Sequence, residues 1–210
     1  MKRLFLFLFF IIVPSLAHAQ DSATSPPHWS LEIKGGIFEP ALSNFSQFYN
    51  QHYMPEFAMS LAYKIMRQVE VGVEGGYLTA HGTALAPLHG TTAGSATYNL
   101  FPASAFVLFR GVMSEQQVIV PYAGGGYTKM FYNESVSNQS TVKGSADGYN
   151  ARGGLQFLLD GLDSSAANNL EMSFGINHTY FFLEVQYIHA VTAGTNLGGT
   201  GYLAGLLFEF

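Results

Sequence analysis

The sequence predicts an all-β fold, a closed, antiparallel, eight-stranded transmembrane β-barrel with a short periplasmic helical segment. Charged residues make up only 11% of the 210 residues, aromatic residues make up 15%, and there are 23 glycines. A soluble domain averages about 25% charged residues. After the N-terminal segment, no apolar run reaches the ~18 residues that a membrane helix needs. A chain with so few charges favours a barrel, in which successive side chains of each strand face lipid and lumen in turn.

The N-terminal residues have the pattern of a secretory signal peptide. Lys2 and Arg3 form a basic start, an unbroken apolar run follows, and Ala17-His18-Ala19 fits the small-x-small cleavage pattern. The apolar run is too short for a spanning anchor. The sequence therefore predicts three regions, namely a signal peptide over residues 1–19, a periplasmic leader over 20–28 and an outer-membrane β-barrel over 29–210.

Charge and cysteine content exclude several classes of function. The formal net charge is −5, and loss of the two positive charges of the signal peptide changes it to −7. An acidic chain lacks the basic patches that nucleic-acid binding requires. The chain has no cysteine, which excludes thiol nucleophiles and thiolate metal sites. An exported domain without disulfides depends on its core or on closed strand pairing.

Alternation of apolar and polar residues defines the strands. In the first strand Trp29, Leu31 and Ile33 share one face and Glu32 and Lys34 the other, because side chains two apart lie on the same side of a strand. Glycines 124–126 interrupt the fifth strand and indicate tight curvature or close packing of its neighbours. A phosphate loop is the rival interpretation, but it would need a following Lys and a helix. Strands are predicted at residues 29–38, 57–64, 69–77, 97–110, 118–131, 148–159, 178–190 and 201–210.

The connections alternate between long and short, with long loops predicted at 39–54, 80–96 and 132–147. Bacterial barrels have long extracellular loops and short periplasmic turns, which predicts that both termini are periplasmic. The connection at 160–176 is an exception, since it is periplasmic and long. There the sequence predicts a short helix with Asp163 at its N-cap. Its apolar residues Leu170, Met172 and Phe174 are predicted to pack at the barrel mouth.

Charged residues on the inward faces form the candidate site. An eight-stranded lumen is just wide enough for side chains to fill, and buried charges need partners. The sequence therefore predicts an ion-pair network that plugs the lumen, with Arg152 bridging at least one acid. A narrow polar channel or a titratable gate is the alternative. The network is predicted to comprise Glu32, Lys34, Glu70, Glu74, Arg110, Arg152 and Glu184, with Glu209 as a further candidate.

The last strand carries a predicted assembly signal. Its residues Tyr202, Ala204, Leu206, Phe208 and Phe210 are two apart and form a continuous apolar face. Soluble proteins avoid such an edge, whereas a closed barrel turns this face towards lipid. The signal is assigned to Tyr202, Phe208 and Phe210, and the barrel-assembly machinery is its expected partner during insertion. The other expected partners are outer-membrane lipid and lipopolysaccharide.

The histidines predict no catalytic or metal site, and no cofactor is expected. His81 and His89 share one loop without the companion ligands of usual metal sites. His178 is predicted to anchor the 160–176 connection. His189 is predicted to face lipid near the outer surface, where some eight-stranded lipid A hydrolases carry a His-Ser-Glu site. His189 is not part of a His-x-Ser pattern, and Thr192 is the nearest hydroxyl downstream, which makes a lipid A-modifying hydrolase the third candidate function.

Five segments occur in a characteristic order: KGGIFEP at 34–40, VPYAGGG at 120–126, GLQFLLDGLD at 154–163, GINHTY at 175–180 and GLLFEF at 205–210. Together they resemble an uncharacterised outer-membrane β-barrel family of myxobacteria and related Gram-negative bacteria, within the eight-stranded outer-membrane barrel superfamily. The resemblance covers most of the chain after the signal peptide. It implies the barrel and its location, and it implies no activity or functional residues.

These observations favour a non-enzymatic outer-membrane protein with a structural or surface-interaction role. The expected location is the cell outer membrane, as a multi-pass β-barrel. A narrow pore or small-solute channel is the second candidate function, because charged lumen residues also line pores.

Overall fold

The computed structural model describes residues 28–43, 45–85, 92–114, 117–137 and 141–210. The predicted signal peptide, residues 1–19, and the predicted leader up to residue 27 lie outside these residues. The strands are β1 (Trp29–Pro40), β2 (Met54–Met66), β3 (Val69–Leu85), β4 (Thr92–Arg110), β5 (Ile119–Val136), β6 (Val142–Leu158), β7 (His178–Thr192), β8 (Thr195–Asn196) and β9 (Gly199–Glu209). The helices are α1 (Phe45–Tyr49) and α2 (Ser164–Phe174).

All of these strands except β8 form one closed antiparallel barrel. Strands β1 to β7 pair in sequence order, and β9 pairs with both β7 and β1. At the centre of β1, Ile33 lies opposite Met59 on one side and Leu206 on the other. Every barrel strand therefore has two partners, which removes the free edges of an open sheet. The predicted eight-stranded antiparallel barrel with a short helix is confirmed.

The barrel has a lower end and an upper end. The lower end is where β1 begins and β9 ends, and the upper end is the opposite one. Helix α2 follows β6 at the lower end, whereas helix α1 and the small strand β8 lie at the upper end.

The outward face of the barrel is apolar. Aliphatic side chains such as Leu183 occupy its middle and are exposed. Aromatic side chains lie below and above them. The ring centroids of Trp29 and Tyr63 are 5.1 Å apart near the lower end, and those of Tyr77 and Phe101 are 5.2 Å apart towards the upper end. An apolar band between two aromatic girdles is typical of barrels that cross lipid.

Two strand pairs extend further than the sequence predicts. Strand β3 continues to Leu85 before β4 begins at Thr92, and β5 continues to Val136 before β6 begins at Val142. The loops predicted at 80–96 and 132–147 are therefore wrong for most of their residues. These segments are rich in Gly, Ser and Thr, which resembles loop composition. Pairing with a neighbouring strand outweighs that local preference, since strand propensity depends strongly on context.

Helix α2 is present, but its predicted packing is wrong. The Oδ1 atom of Asp163 accepts hydrogen bonds from the N–H groups of Ser165 and Ala166 at 3.0 and 2.9 Å, as expected of an N-cap. Met172 and Phe174 are 86% and 74% exposed, and no residue of the helix is buried. The N-cap, and not apolar packing, fixes where the helix begins, and the helix contacts β7 without burying its own side chains. Neither helix in the described ranges is long and apolar enough to cross a membrane.

The glycine run of β5 allows close approach to β4. A Cβ atom at Gly124 or Gly126 would overlap the backbone carbonyl oxygen of Val107 or Ala105. The predicted close packing of neighbouring strands at these glycines is therefore confirmed, and it accounts for the residues without a phosphate loop.

Candidate functional site in the barrel lumen

The first group of lumen charges, here called the central cluster, comprises Glu32, Lys34, Glu74, Arg152 and Glu184. Lys34 on β1 lies at the middle of the central cluster and is 1% exposed. Its Nζ atom is 2.5 Å from Glu184 Oε1 on β7 and 2.6 Å from Glu74 Oε2 on β3. Alternation turns all five side chains inward, and closure of the barrel brings them together. One ammonium group thus joins two strands that do not pair with each other.

Arg152 on β6 completes the central cluster from the other side. Its Nη1 and Nη2 atoms donate to the two carboxylate oxygens of Glu74 at 2.6 and 2.8 Å. The guanidinium carbon lies 4.5 Å from the ring centroid of Phe106, within cation–π range. Gln186 also donates to Glu74 at 2.9 Å. Glu74 therefore receives three side-chain hydrogen bonds and an ammonium contact, which a buried carboxylate needs.

Hydroxyl groups satisfy the remaining acids of the central cluster. Tyr122 donates to Glu184 Oε2 at 2.9 Å, and Ser60 donates to Glu32 Oε2 at 2.6 Å. Lys34 Nζ is 4.0 Å from the same Glu32 oxygen. The cluster is a continuous network of charged and neutral partners, and not a set of isolated ion pairs.

The second group, here called the lower cluster, comprises Lys64, Glu70, Arg110, Gln156 and Glu209. Arg110 Nη1 donates to Glu70 Oε1 at 2.7 Å and to Glu209 Oε1 at 2.5 Å. Its Nε and Nη2 atoms donate to Gln156 Oε1 at 2.9 and 2.7 Å. Lys64 Nζ is 2.6 Å from Glu209 Oε1. Because β4 and β9 are four strands apart in the barrel, the contact between Arg110 and Glu209 crosses the whole lumen.

An apolar plug fills the lumen above the central cluster. Its largest members are fully buried side chains that point inward from six strands, namely Phe38, Met54, Leu78, Leu100, Met130 and Ile188. Helix α1 adds Phe45 and Tyr49, which are also buried in this plug. The alternation of the sequence identifies only the charged lumen residues. The upper plug escapes it because inward and outward residues are both apolar there, which obscures the alternation.

Three charged residues of the lumen are missing from the predicted network or named only as candidates. Lys64 and Glu209 belong to the lower cluster. Glu56 on β2 is 5% exposed, and its Oε2 atom has no hydrogen-bond partner among the described residues. Glycine at position 201 leaves space for it, since a Cβ atom there would lie 2.8 Å from Glu56 Oε2. Extending the alternation of β2 by one step from Ala58 would have identified Glu56 as inward.

A cavity of about 190 Å³ lies at the lower end beside the lower cluster. Lys64, Arg110 and Glu209 line it together with His28 and His178. The two basic residues of the lower cluster already contact Glu209, so they are not available as a simple anion site. The cavity is a shallow entrance that ends at the ion pairs.

The other predicted histidine positions have structural neighbours. His178 Nδ1 lies 2.7 Å from Asp160 Oδ2, and Asp160 Oδ1 accepts from the N–H of Thr179 at 3.0 Å. These contacts hold the connection containing α2 to the start of β7, which confirms the anchoring role predicted for His178. His189 lies beside the ring of Tyr149, at a centroid distance of 5.3 Å. Within the described ranges, no group of three or more His, Asp or Glu residues could hold a metal ion.

The predicted assembly-signal residues lie on the closing strand. Tyr202 pairs with Val185 of β7 and Ile37 of β1, and Phe208 pairs with Leu31. The N–H of Trp29 donates to the carbonyl oxygen of Phe210 at 2.8 Å. These contacts join the last strand to the first, with Tyr202 and Phe210 exposed on the outward face.

Comparison with solved structures identifies the fold. The outer membrane protein OprG from Pseudomonas aeruginosa matches with a TM-score of 0.61 and 11% identity, covering 90% of this chain and 99% of OprG. Neisserial surface protein A matches with a TM-score of 0.55 and 11% identity, covering 87% and 97%. The N-terminal β-barrel domain of Pseudomonas aeruginosa OprF matches with a TM-score of 0.51 and 11% identity, covering 89% and 100%.

No family model and no curated protein sequence matches the chain. The resemblance to the myxobacterial family therefore stays a prediction. At 11% identity the structural likeness establishes the architecture alone. The chain has the same eight-stranded β-barrel fold as these solved structures.

Proposed function

We propose that this protein is a non-enzymatic outer-membrane β-barrel whose lumen is plugged by its own side chains, with a structural or surface-interaction role. The observation that carries the proposal is the filled lumen. Arg152 contacts Glu74 three strands away, and Arg110 contacts Glu209 four strands away. The apolar plug lies above both clusters. In a barrel of eight strands, side chains of this size occupy the interior.

Ion conductance tests the plugged lumen. Protein refolded into planar lipid bilayers is expected to give no steady current, because the central cluster and the apolar plug block the axis at two levels. A porin of known conductance in the same membrane checks the sensitivity of the measurement. Reproducible currents from the wild-type barrel would contradict the proposal and favour the narrow pore.

The outward face supports a location in the outer membrane. Its apolar band and aromatic girdles match a lipid environment, with outer-membrane lipid and lipopolysaccharide as the proposed contacts. The lower end is assigned to the periplasm, because the connection between β2 and β3 there is only two residues long, whereas the extended hairpins β3–β4 and β5–β6 project at the upper end as extracellular hairpins do. A membrane-impermeant maleimide tests this assignment in whole cells, since the chain has no cysteine of its own. Thr195→Cys at the upper end is expected to react and Ser165→Cys in α2 to be protected; the reverse pattern would invert the orientation.

Recognition by the barrel-assembly machinery is proposed for the closing strand. The signal comprises Tyr202, Phe208 and Phe210 on the outward face. Phe210→Ala is expected to lower the amount of inserted protein in cells while leaving refolding into synthetic vesicles intact. Phe157→Ala, an aromatic position of β6 at the same end, is the matched control. Equal losses of inserted protein for both variants in cells would show that Phe210 acts through general lipid contact and not as an assembly signal.

A further inference from the structure

A vestibule of about 430 Å³ lies at the upper end, above the apolar plug. Its walls come from the extended parts of β4, β5 and β6, from helix α1 and from the turn between β7 and β8. A cavity of this size falls within the range of small-molecule sites. The central and lower clusters do not line it, so a ligand could bind there while the lumen stays closed.

Four of the twelve described residues that line the vestibule are aromatic. Phe45 and Tyr49 come from α1, Tyr98 from β4 and Tyr132 from β5. The ring centroids of Phe45 and Tyr49 are 4.8 Å apart, and those of Tyr49 and Tyr98 are 5.8 Å apart. Tyr132 lies against Gly144, whose missing side chain leaves space for the ring. Phe45, Tyr49 and Tyr98 also belong to the apolar plug and are at most 9% exposed. They therefore form the floor of the vestibule, and Tyr132 is its partly exposed ring.

One carboxylate accompanies these rings. Glu134 on β5 lines the vestibule, and its Oε1 atom accepts a hydrogen bond from Tyr49 at 2.8 Å. Among the described lining residues there is no Lys, Arg or His. Burial first, and then the hydrogen bond to Glu134, raise the pKa of Tyr49 above its ordinary value. Tyr49 therefore stays a neutral donor, and the negative charge of Glu134 has no cationic partner in the described lining.

Tyr98 adds a second polar side chain to the lining of the vestibule. The residue is 4% exposed, and its hydroxyl has no hydrogen-bond partner among the described residues. A buried hydroxyl of this kind calls for an unseen partner such as water or a ligand. Tyr98 lies in the same lining as Glu134, but its hydroxyl oxygen is buried, so it contributes its ring and not its hydroxyl to the vestibule.

We propose that the vestibule binds small organic ammonium ions, with the cationic group against Tyr132 and above the buried rings of the floor, and with Glu134 as its counter-ion. Aromatic faces attract ammonium groups, and methylated ammonium ions are recognised by cages of such rings. The carboxylate selects the charge, and the cavity volume limits the ligand to a small molecule. This proposal gives the surface-interaction role a class of ligand. It rests on the proposed function in one respect, namely that the upper end, where the vestibule opens, faces the outside of the cell.

Choline is the probe that tests the proposal. Binding to refolded protein is measured by titration calorimetry in non-ionic maltoside micelles, because zwitterionic detergents with choline headgroups would compete. The neutral isostere 3,3-dimethylbutan-1-ol has the same shape without the charge. Choline is expected to bind at millimolar or lower concentration, more tightly than this alcohol and with an affinity that falls as salt rises.

Variants identify the residues responsible. Glu134→Gln keeps the shape of the side chain and is expected to weaken choline binding about fivefold or more, and Tyr132→Leu to weaken it similarly. Glu39→Gln is the matched control, since Glu39 is an exposed acid of β1 near the same end and outside the vestibule lining. The heat-dependent gel shift of folded barrels checks that each variant is folded.

Free ammonium ions and choline lipid headgroups carry the same cationic group. Phosphocholine also carries the phosphate of a headgroup, so its binding distinguishes the two sources of ligand. Its phosphate would lie near Glu134, so choline is expected to bind more tightly. The proposal is overturned if choline gives no binding at millimolar concentration, if the neutral alcohol or phosphocholine binds as tightly, or if folded Glu134→Gln binds like the wild type. None of these results depends on conductance, so this inference and the plugged-lumen proposal fail separately.

Discussion

The guanidinium of Arg152 holds both carboxylate oxygens of Glu74 across the lumen, at 2.6 and 2.8 Å. The two residues lie on β6 and β3, which share no backbone hydrogen bond. Lys34 approaches the same carboxylate from β1 at 2.6 Å. Three strands that do not pair with one another are thus joined through Glu74, and the barrel interior is held by side chains as well as by its ladder.

Removal of Arg152 is expected to destabilise the barrel strongly. Arg152→Ala leaves Glu74 with one cationic partner fewer in a buried site, which costs about 3–5 kcal/mol of unfolding free energy when the pair is fully desolvated. Urea titration of protein folded in lipid vesicles measures this change. Lys143→Ala is the control, because Lys143 is an exposed residue of β6 near the upper end and exposed charges contribute little. An Arg152→Ala variant as stable as the control would show that the ion pair is not needed to hold the lumen.

Close approach of β4 and β5 predicts a sensitive glycine. Gly126→Ala would place a methyl group on the carbonyl oxygen of Ala105, and the strands would have to separate locally. Overpacking of this kind costs about 1–3 kcal/mol. Gly75→Ala is the matched control, because no atom lies within 4 Å of a Cβ atom built at Gly75. Vesicle unfolding curves compare the two, and equal stabilities would indicate that β5 adjusts freely.

The apolar outward face predicts that a charged substitution there lowers stability by an amount that depends on its depth in the membrane. Leu183 lies in the aliphatic band between the two aromatic girdles, so Leu183→Arg is expected to lower the unfolding free energy by about 2–4 kcal/mol in lipid vesicles. Met113 lies in the connection between β4 and β5 and is 93% exposed. Met113→Arg is expected to leave stability nearly unchanged, because it adds charge outside the band. A similar result for both substitutions would argue against lipid contact at Leu183.

Helix α2 is expected to unfold independently of the barrel. Asp163→Ala removes the side chain that accepts from two N–H groups, and loss of an N-cap costs about 1 kcal/mol of helix stability. Because no residue of α2 is buried, this local loss is not transmitted to the strands. Hydrogen exchange is expected to become faster at Ser165 and Ala166 in the variant while exchange in β6 and β7 is unchanged. Faster exchange throughout β7 would instead show that α2 supports the barrel.

Local alternation determined much of this architecture. In β1, Glu32 and Lys34 are buried while Ile33 is exposed, as the sequence alone predicts. The same rule assigns Glu70, Glu74, Arg110, Arg152 and Glu184 to the interior, where the structure has them buried. It succeeds because the side-chain period of a strand is two, whatever the partner strand is. The capping role of Asp163 was predictable for a similar reason, since it depends on three neighbouring residues.

Pairing partners across the lumen were decided only by the tertiary structure. Alternation places Arg110 and Glu209 inside, but only closure of β9 on β1 sets the four-strand separation that brings their atoms to 2.5 Å. Met172 and Phe174 of α2 stay exposed in the closed barrel, because α2 buries none of its residues against the strands. The vestibule around Glu134 also depends on the extension of β5 beyond the predicted strand end. Side-chain direction is a local property of the chain, whereas lumen contacts depend on strand order, register and closure, which involve residues far apart in sequence.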